Sequence, residues 1–192
     1  MGILVNVYRK STPLVVAASL LALAACEADS TGPGLAAEGS VSFTYAGDDA
    51  GTYSATGRFD RQNPDDGTFA VGGRGELENG QDGLVVYAHA ERAALVDEFL
   101  LSVENPELGT VTCDADDTSC SFGALFFLGT DVEGETDAIY TSVSGTLNIT
   151  SLNDDRASGT FTLELEAFDL IDDPGAVTVT SGTFNVPIVQ NN

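Results

Sequence analysis

Tryptophan is missing from the 192 residues, histidine occurs once, and Lys10 is the sole lysine. Seven basic residues stand against 30 acidic ones, a formal charge of -23. Such a chain cannot gather the Lys/Arg cluster that phosphate contacts require, which excludes a nucleic-acid binder. No run of about 20 apolar residues occurs, which excludes a multi-pass helical membrane protein. The serine-hydrolase elbow Gly-x-Ser-x-Gly and the zinc motif His-Glu-x-x-His are both missing. Cys113, Cys120 and a remote His89 are too few ligands for zinc. What the chain does have is 43% hydrophobic residues, too many for a disordered polymer.

The only lysine lies in a distinct N-terminal stretch. Arg9 and Lys10 precede Pro13–Ala25, an apolar run of 13 residues that ends in small side chains. A basic head, a short apolar run and a small-residue end predict an export signal over residues 1–25, since the run is too short to span a bilayer comfortably. The run closes on Leu23-Ala24-Ala25-Cys26. This resembles the lipobox of bacterial lipoproteins at all four positions. The resemblance implies cleavage before Cys26 and acylation of Cys26, whose thiolate is the nucleophile that can carry a thioether lipid. More than one acyl chain is needed for stable anchoring. Glu27 follows where some lipoproteins carry an inner-membrane Asp, so the resemblance implies the outer membrane. Residues 26–38 then read as a flexible tether, and residues 39–192 as one domain. Without residues 1–25, 167 residues remain with five bases and 30 acids, a charge of -25.

From Ser40 onward the pattern has period two. Val41, Phe43 and Tyr45 alternate with Ser42 and Thr44, and Phe161, Leu163 and Leu165 alternate with Thr162 and Glu164. Alternation of this kind predicts half-buried antiparallel strands. Further strands are predicted over 51–59, 68–77, 84–90, 97–104, 109–113, 120–128, 140–151, 176–181 and 184–188. Ala124–Leu128 is apolar at every position and should form the most central strand. The helix formers in Ala88–Leu95 are read as a strand end near Ala90 followed by a loop or single turn. Six segments open with Gly-Thr and an apolar residue, beginning at Gly51, Gly67, Gly109, Gly145, Gly159 and Gly182. Gly eases a turn or bulge there, and the third and fifth residues should face inward. About ten short strands predict an all-β fold, an antiparallel β-sandwich with a small closed β-barrel as the alternative.

Three stretches, Tyr140–Leu152, Arg156–Leu163 and Val177–Pro187, together resemble a pattern found in uncharacterised bacterial lipoproteins with an exported β-sandwich domain. They cover about a quarter to a third of the chain after Cys26. The resemblance implies an exported all-β domain and supplies no activity or site residues.

Cys113 and Cys120 flank the six residues Asp114–Ser119. An exported chain meets an oxidising compartment, which predicts a disulfide between them. Aspartate doublets at 48–49, 65–66, 116–117, 154–155 and 172–173 fall between predicted strands. Asp is a good turn residue, and that is their first reading. The second is calcium, with Asp114, Asp116 and Asp117 as the candidate ligands, although the later Gly and Glu of a calcium loop are missing. Gly72–Glu78 resembles a calcium-binding nonapeptide but has Leu77 where Asp is needed. His89 reads as an ordinary surface or packed residue on a strand. The sequence therefore predicts no enzyme and no resident cofactor, calcium excepted. The expected role is a non-catalytic binding or structural module in the cell envelope, held to the membrane by lipid, with an unspecified protein or small-molecule ligand. A calcium-dependent binding or adhesion domain and a carboxylate-based hydrolase are the alternatives.

Overall fold

The computed structural model describes residues 35–189, apart from 65, 78–79, 118, 132–133, 135 and 169–174. The leader over 1–25, Cys26 and the first part of the tether lie outside the described residues. Ten strands follow one another among the described residues: β1 (Leu35–Gly47), β2 (Gly51–Asp60), β3 (Phe69–Glu76), β4 (Asp82–Arg92), β5 (Leu95–Glu104), β6 (Gly109–Cys113), β7 (Phe122–Thr130), β8 (Ala138–Leu152), β9 (Arg156–Ala167) and β10 (Ala176–Val189). Among the described residues there is no helix.

Seven strands close a ring in the order β3–β4–β5–β7–β8–β9–β10, with β10 returning to β3. The fold is thus the closed barrel rather than the sandwich that the sequence put first. Closure follows from the length of β8 and β10. β8 pairs β9 along one edge, while its other edge serves β7 through Ala138–Thr141 and then β6 through Gly145–Ile149. β10 likewise pairs β9 on one side and β1 on the other, until Ile188 and Val189 reach β3. That last contact is parallel, the one departure from the expected antiparallel pairing among these strands.

The alternation that marked the strands also sets the core. Val41, Phe43 and Tyr45 of β1 enter the barrel with Phe99, Phe126 and Phe161. The Phe43 ring centre lies 4.7 Å from that of Tyr53, 5.0 Å from Phe99 and 5.2 Å from Phe126. Such offset and edge contacts add to the area that the rings bury. β7 sits between β5 and β8 and is apolar on both faces, as its sequence predicts. Phe126 enters the main core, and Leu125 joins Val85 and Leu100 in a second cluster on the opposite side of the wall.

Three details differ from the sequence expectation. The stretches 176–181 and 184–188 are one strand, because a bulge between Val179 and Gly182 shifts the inward positions from Val177 and Val179 to Phe184 and Val186. β4 runs on to Arg92, and only Ala93 and Ala94 separate it from Leu95, since Arg92 pairs with Leu95. Residues 35–38, read from the sequence as the end of the tether, already belong to β1: Leu35 pairs with Asp60 and Glu38 with Arg58. Small and polar residues hide that strand from composition, but Ala36 packs beside Phe59, Phe69 and Val71. Of the Gly-Thr segments, those of β2, β8, β9 and β10 send their third and fifth residues into the main core. In β3 the same positions, Phe69 and Val71, pack on a separate cluster instead, and in β6 Val111 is exposed.

Candidate functional site

The Cys113–Cys120 loop is built by the branching of the sheet at β8. β6 and β7 lie end to end along one edge of that strand, so the chain must bulge out between them and return. The two cysteines stand at the neck of the bulge, bonded, with Cα atoms 5.4 Å apart. Closing so short a loop stabilises the fold by about 2–3 kcal/mol in the chain-entropy model. Inside it, the Asp117 amide donates to the Asp114 carbonyl at 2.9 Å. The Ser119 hydroxyl and amide both donate to Asp117 Oδ1, at 2.7 and 2.8 Å. These bonds, the hydroxyl first, hold the Asp117 carboxyl below its ordinary range.

Asp117 is therefore a turn-forming residue. Among the described residues no group of three or more His, Cys, Asp or Glu side chains converges to hold a metal ion, so Asp114, Asp116 and Asp117 are not brought together as a ligand set. Gly72–Glu76 lies within β3 rather than in a loop, which removes the nonapeptide comparison. The Asp154–Asp155 doublet sits in the β8–β9 turn, where Asn153 Oδ1 accepts from the amides of Asp155 and Arg156. Asp65, Asp172 and Asp173 lie outside the described residues.

One end of the barrel carries a second acidic group. Asp48 and Asp49 in the β1–β2 turn, Asp137 before β8 and Tyr140 within it line an open depression of ≈ 240 Å³. Here too the carboxylates hold the fold. Asp48 Oδ2 accepts from the Ala176 amide at 2.7 Å, which ties the turn to the start of β10. Asp49 accepts from the Tyr140 hydroxyl. Burial first, and then the bond to Asp49, push the Tyr140 phenol far up, so it stays a donor at any ordinary pH. At the same end Asp97 accepts from the Gly129 amide at 2.9 Å and faces Arg92 at 3.3 Å.

His89 proves to be a packed wall residue. Its ring stacks on Phe69, centres 5.3 Å apart and nearly parallel. Cross-strand pairing sets Glu98 directly opposite it, with His89 Nδ1 3.5 Å from Glu98 Oε1. The Tyr87 hydroxyl donates to the same carboxylate oxygen. The hydrogen bond with His89, aided by Tyr87 and opposed by burial, lowers the Glu98 carboxyl. The sequence does not reveal this trio; its one signal there is the two-residue spacing of Tyr87 and His89 on one face of a strand. Tyr53, by contrast, is buried in the aromatic core with its hydroxyl unpaired among the described residues. Burial and then the neighbouring Tyr87, Asp97 and Glu98 push its ionisation well up.

No known family model, curated protein or solved structure matches this chain.

Proposed function

We propose that the chain is an exported, lipid-anchored protein of the cell envelope whose barrel serves as a non-catalytic binding or structural module. The observation that carries this reading is the bonded Cys113–Cys120 pair, because such a bridge belongs with an oxidising compartment. It agrees with the export pattern of residues 1–25 and with the Leu23–Cys26 motif. Lipid on Cys26 would tie the barrel closely to a membrane. Only nine peptide steps separate Cys26 from Leu35, where β1 begins, and they span at most about 30 Å.

A binding or scaffolding role has further support in how the polar groups are used. The rings around Phe43 fill the barrel, which leaves ligands to its outer surface. Asp48, Asp49, Asp97 and Asp117 all accept hydrogen bonds that fix turns or strand ends. A hydrolase would instead need two carboxylates available to a substrate and set apart by about 5–10 Å.

The test is Cys26→Ser in the exporting cell. The native protein should incorporate labelled fatty acid and sediment with membranes, and the variant should do neither. Equal membrane association of both proteins would overturn the lipid-anchor reading.

A further inference from the structure

We propose that the free edge of β6 is a docking strand for a basic, extended peptide segment of a partner protein. β6 stands at the end of the sheet path and pairs only with β8 among the described strands. Gly109 to Thr112 are exposed in succession. Leu108 is 65% exposed and Val111 37%, the two large apolar side chains left open among the described residues. Elsewhere among the described residues large apolar side chains are buried or half-buried, so Leu108, just before the strand, and Val111 within it leave apolar surface open beside this edge.

The strand is held ready rather than loose. The Thr110 hydroxyl donates to Asn148 at 3.2 Å, and Thr112 meets Thr146 at 3.4 Å, both across to β8. The bridge at Cys113 fixes its far end. On the edge away from β8, alternate residues present their N–H and C=O groups outward, which is the template a further strand needs. Edges are usually blunted by a charge, a proline or a bulge. Gly109–Cys113 contains no charge and no proline, and its pairing to β8 is unbroken. The other end of the path, β2, differs: Arg58 lies in it, and its Gly57 passes directly over the Thr68 carbonyl of the chain leading into β3.

Charge selects the occupant. Glu104 and Glu107 precede the edge, Asp114, Asp116 and Asp117 follow it, and no Lys or Arg occurs between Arg92 and Arg156. Two copies pairing through β6 would bring these acidic frames together, and the repulsion opposes such a dimer. A strand that carries Lys or Arg beside β-branched residues meets the opposite field and can add to the sheet through its main chain, with Leu108 and Val111 offering apolar contact. This inference rests on the barrel being a binding module and not on its lipid anchor.

The experiment titrates the full chain and its Cys26→Ser variant with a capped peptide, Lys-Thr-Val-Thr-Val-Lys, by fluorescence anisotropy. Controls are the same peptide with Glu for Lys, and one N-methylated at alternate amides. The proposal expects saturable binding of the lysine peptide to both proteins, weakened about tenfold or more by either control and by the paired change Leu108→Lys/Val111→Lys. Circular dichroism and melting temperature verify that the paired variant folds. No binding, or equal binding of the N-methylated peptide, would overturn it, the latter by reducing the attraction to charge alone. Concentration-dependent dimers broken by the paired change would also overturn it, by giving the edge to a second copy. Because lipid is irrelevant to these titrations, their failure is distinct from a failure of the Cys26 experiment.

Discussion

Phe161 lies over Gly182 of the neighbouring strand, and Phe184 lies over Gly159 in return. The two Gly-Thr-Phe tripeptides of β9 and β10 pair antiparallel, so that each ring covers the position where its partner has no side chain. A Cβ on Gly182 would stand 2.3 Å from the Phe161 ring, and one on Gly159 would stand 2.6 Å from the Phe184 ring and 2.4 Å from the Asn148 carbonyl oxygen. Gly182→Ala and Gly159→Ala should therefore each destabilise the barrel, by about 1–3 kcal/mol as overpacking does. Gly159→Ala should be the worse, because one of its collisions is with backbone. Urea midpoints at unchanged slope measure this, and a neutral effect at both positions would contradict the packing.

The two-residue connection between β4 and β5 makes the opposite prediction. Ala93 has φ of 57°, a left-handed backbone that disfavours any side chain. Ala93→Gly removes the clash and should stabilise the fold by about 1 kcal/mol, net of the greater freedom glycine gives the unfolded chain. A lower melting temperature in this variant would contradict it.

Much of this architecture could be read in the chain. Period-two runs such as Val41–Tyr45 and Phe161–Leu165 located the strands, because an inward side chain every second residue is what a barrel wall requires. The shift between Val179 and Gly182 could not be read, since a bulge moves the inward set by one residue and looks like a strand end. Closure was equally hidden: it depends on β8 and β10 each meeting two partners along one edge, and these contacts are far apart in sequence. Of the site residues, the cysteines were legible from spacing and compartment. The Tyr87–Glu98–His89 trio was not, because Glu98 joins it only through the β4–β5 register.

That trio gives the fold a pH-dependent element. Its Glu98 carboxyl titrates lower in the folded protein than in the unfolded one, chiefly through His89. Its contribution is therefore present above the unfolded value and is lost as pH falls through the folded value. Relief of acidic self-repulsion acts the other way as other carboxylates take up protons, so the native protein must be compared with Glu98→Gln. The difference in their stability should shrink as pH is lowered from 6 through about 4 and below. A difference that stays constant over that range would contradict the linkage.

Charge dominates the surface. Beyond residue 25, five arginines face 30 acids, and Arg74 and Arg92 are already paired with Asp82 and Asp97. Five cations cannot neutralise 30 carboxylates, and the remaining like-charge repulsion destabilises the compact state. Raising sodium chloride from 0.01 to 0.15 M shortens the screening length from about 30 to about 8 Å, and the melting temperature should rise. Calcium and magnesium at equal ionic strength should act alike if screening alone operates. A specific rise at micromolar to millimolar calcium would instead support the calcium-dependent alternative.

The most direct measurement is the intact mass of the protein extracted from membranes, with sequencing of its N-terminal peptide. The account predicts a chain that begins at Cys26, contains the Cys113–Cys120 bridge and carries the added mass of several acyl chains on its first residue. An unacylated chain that begins at another residue would contradict it.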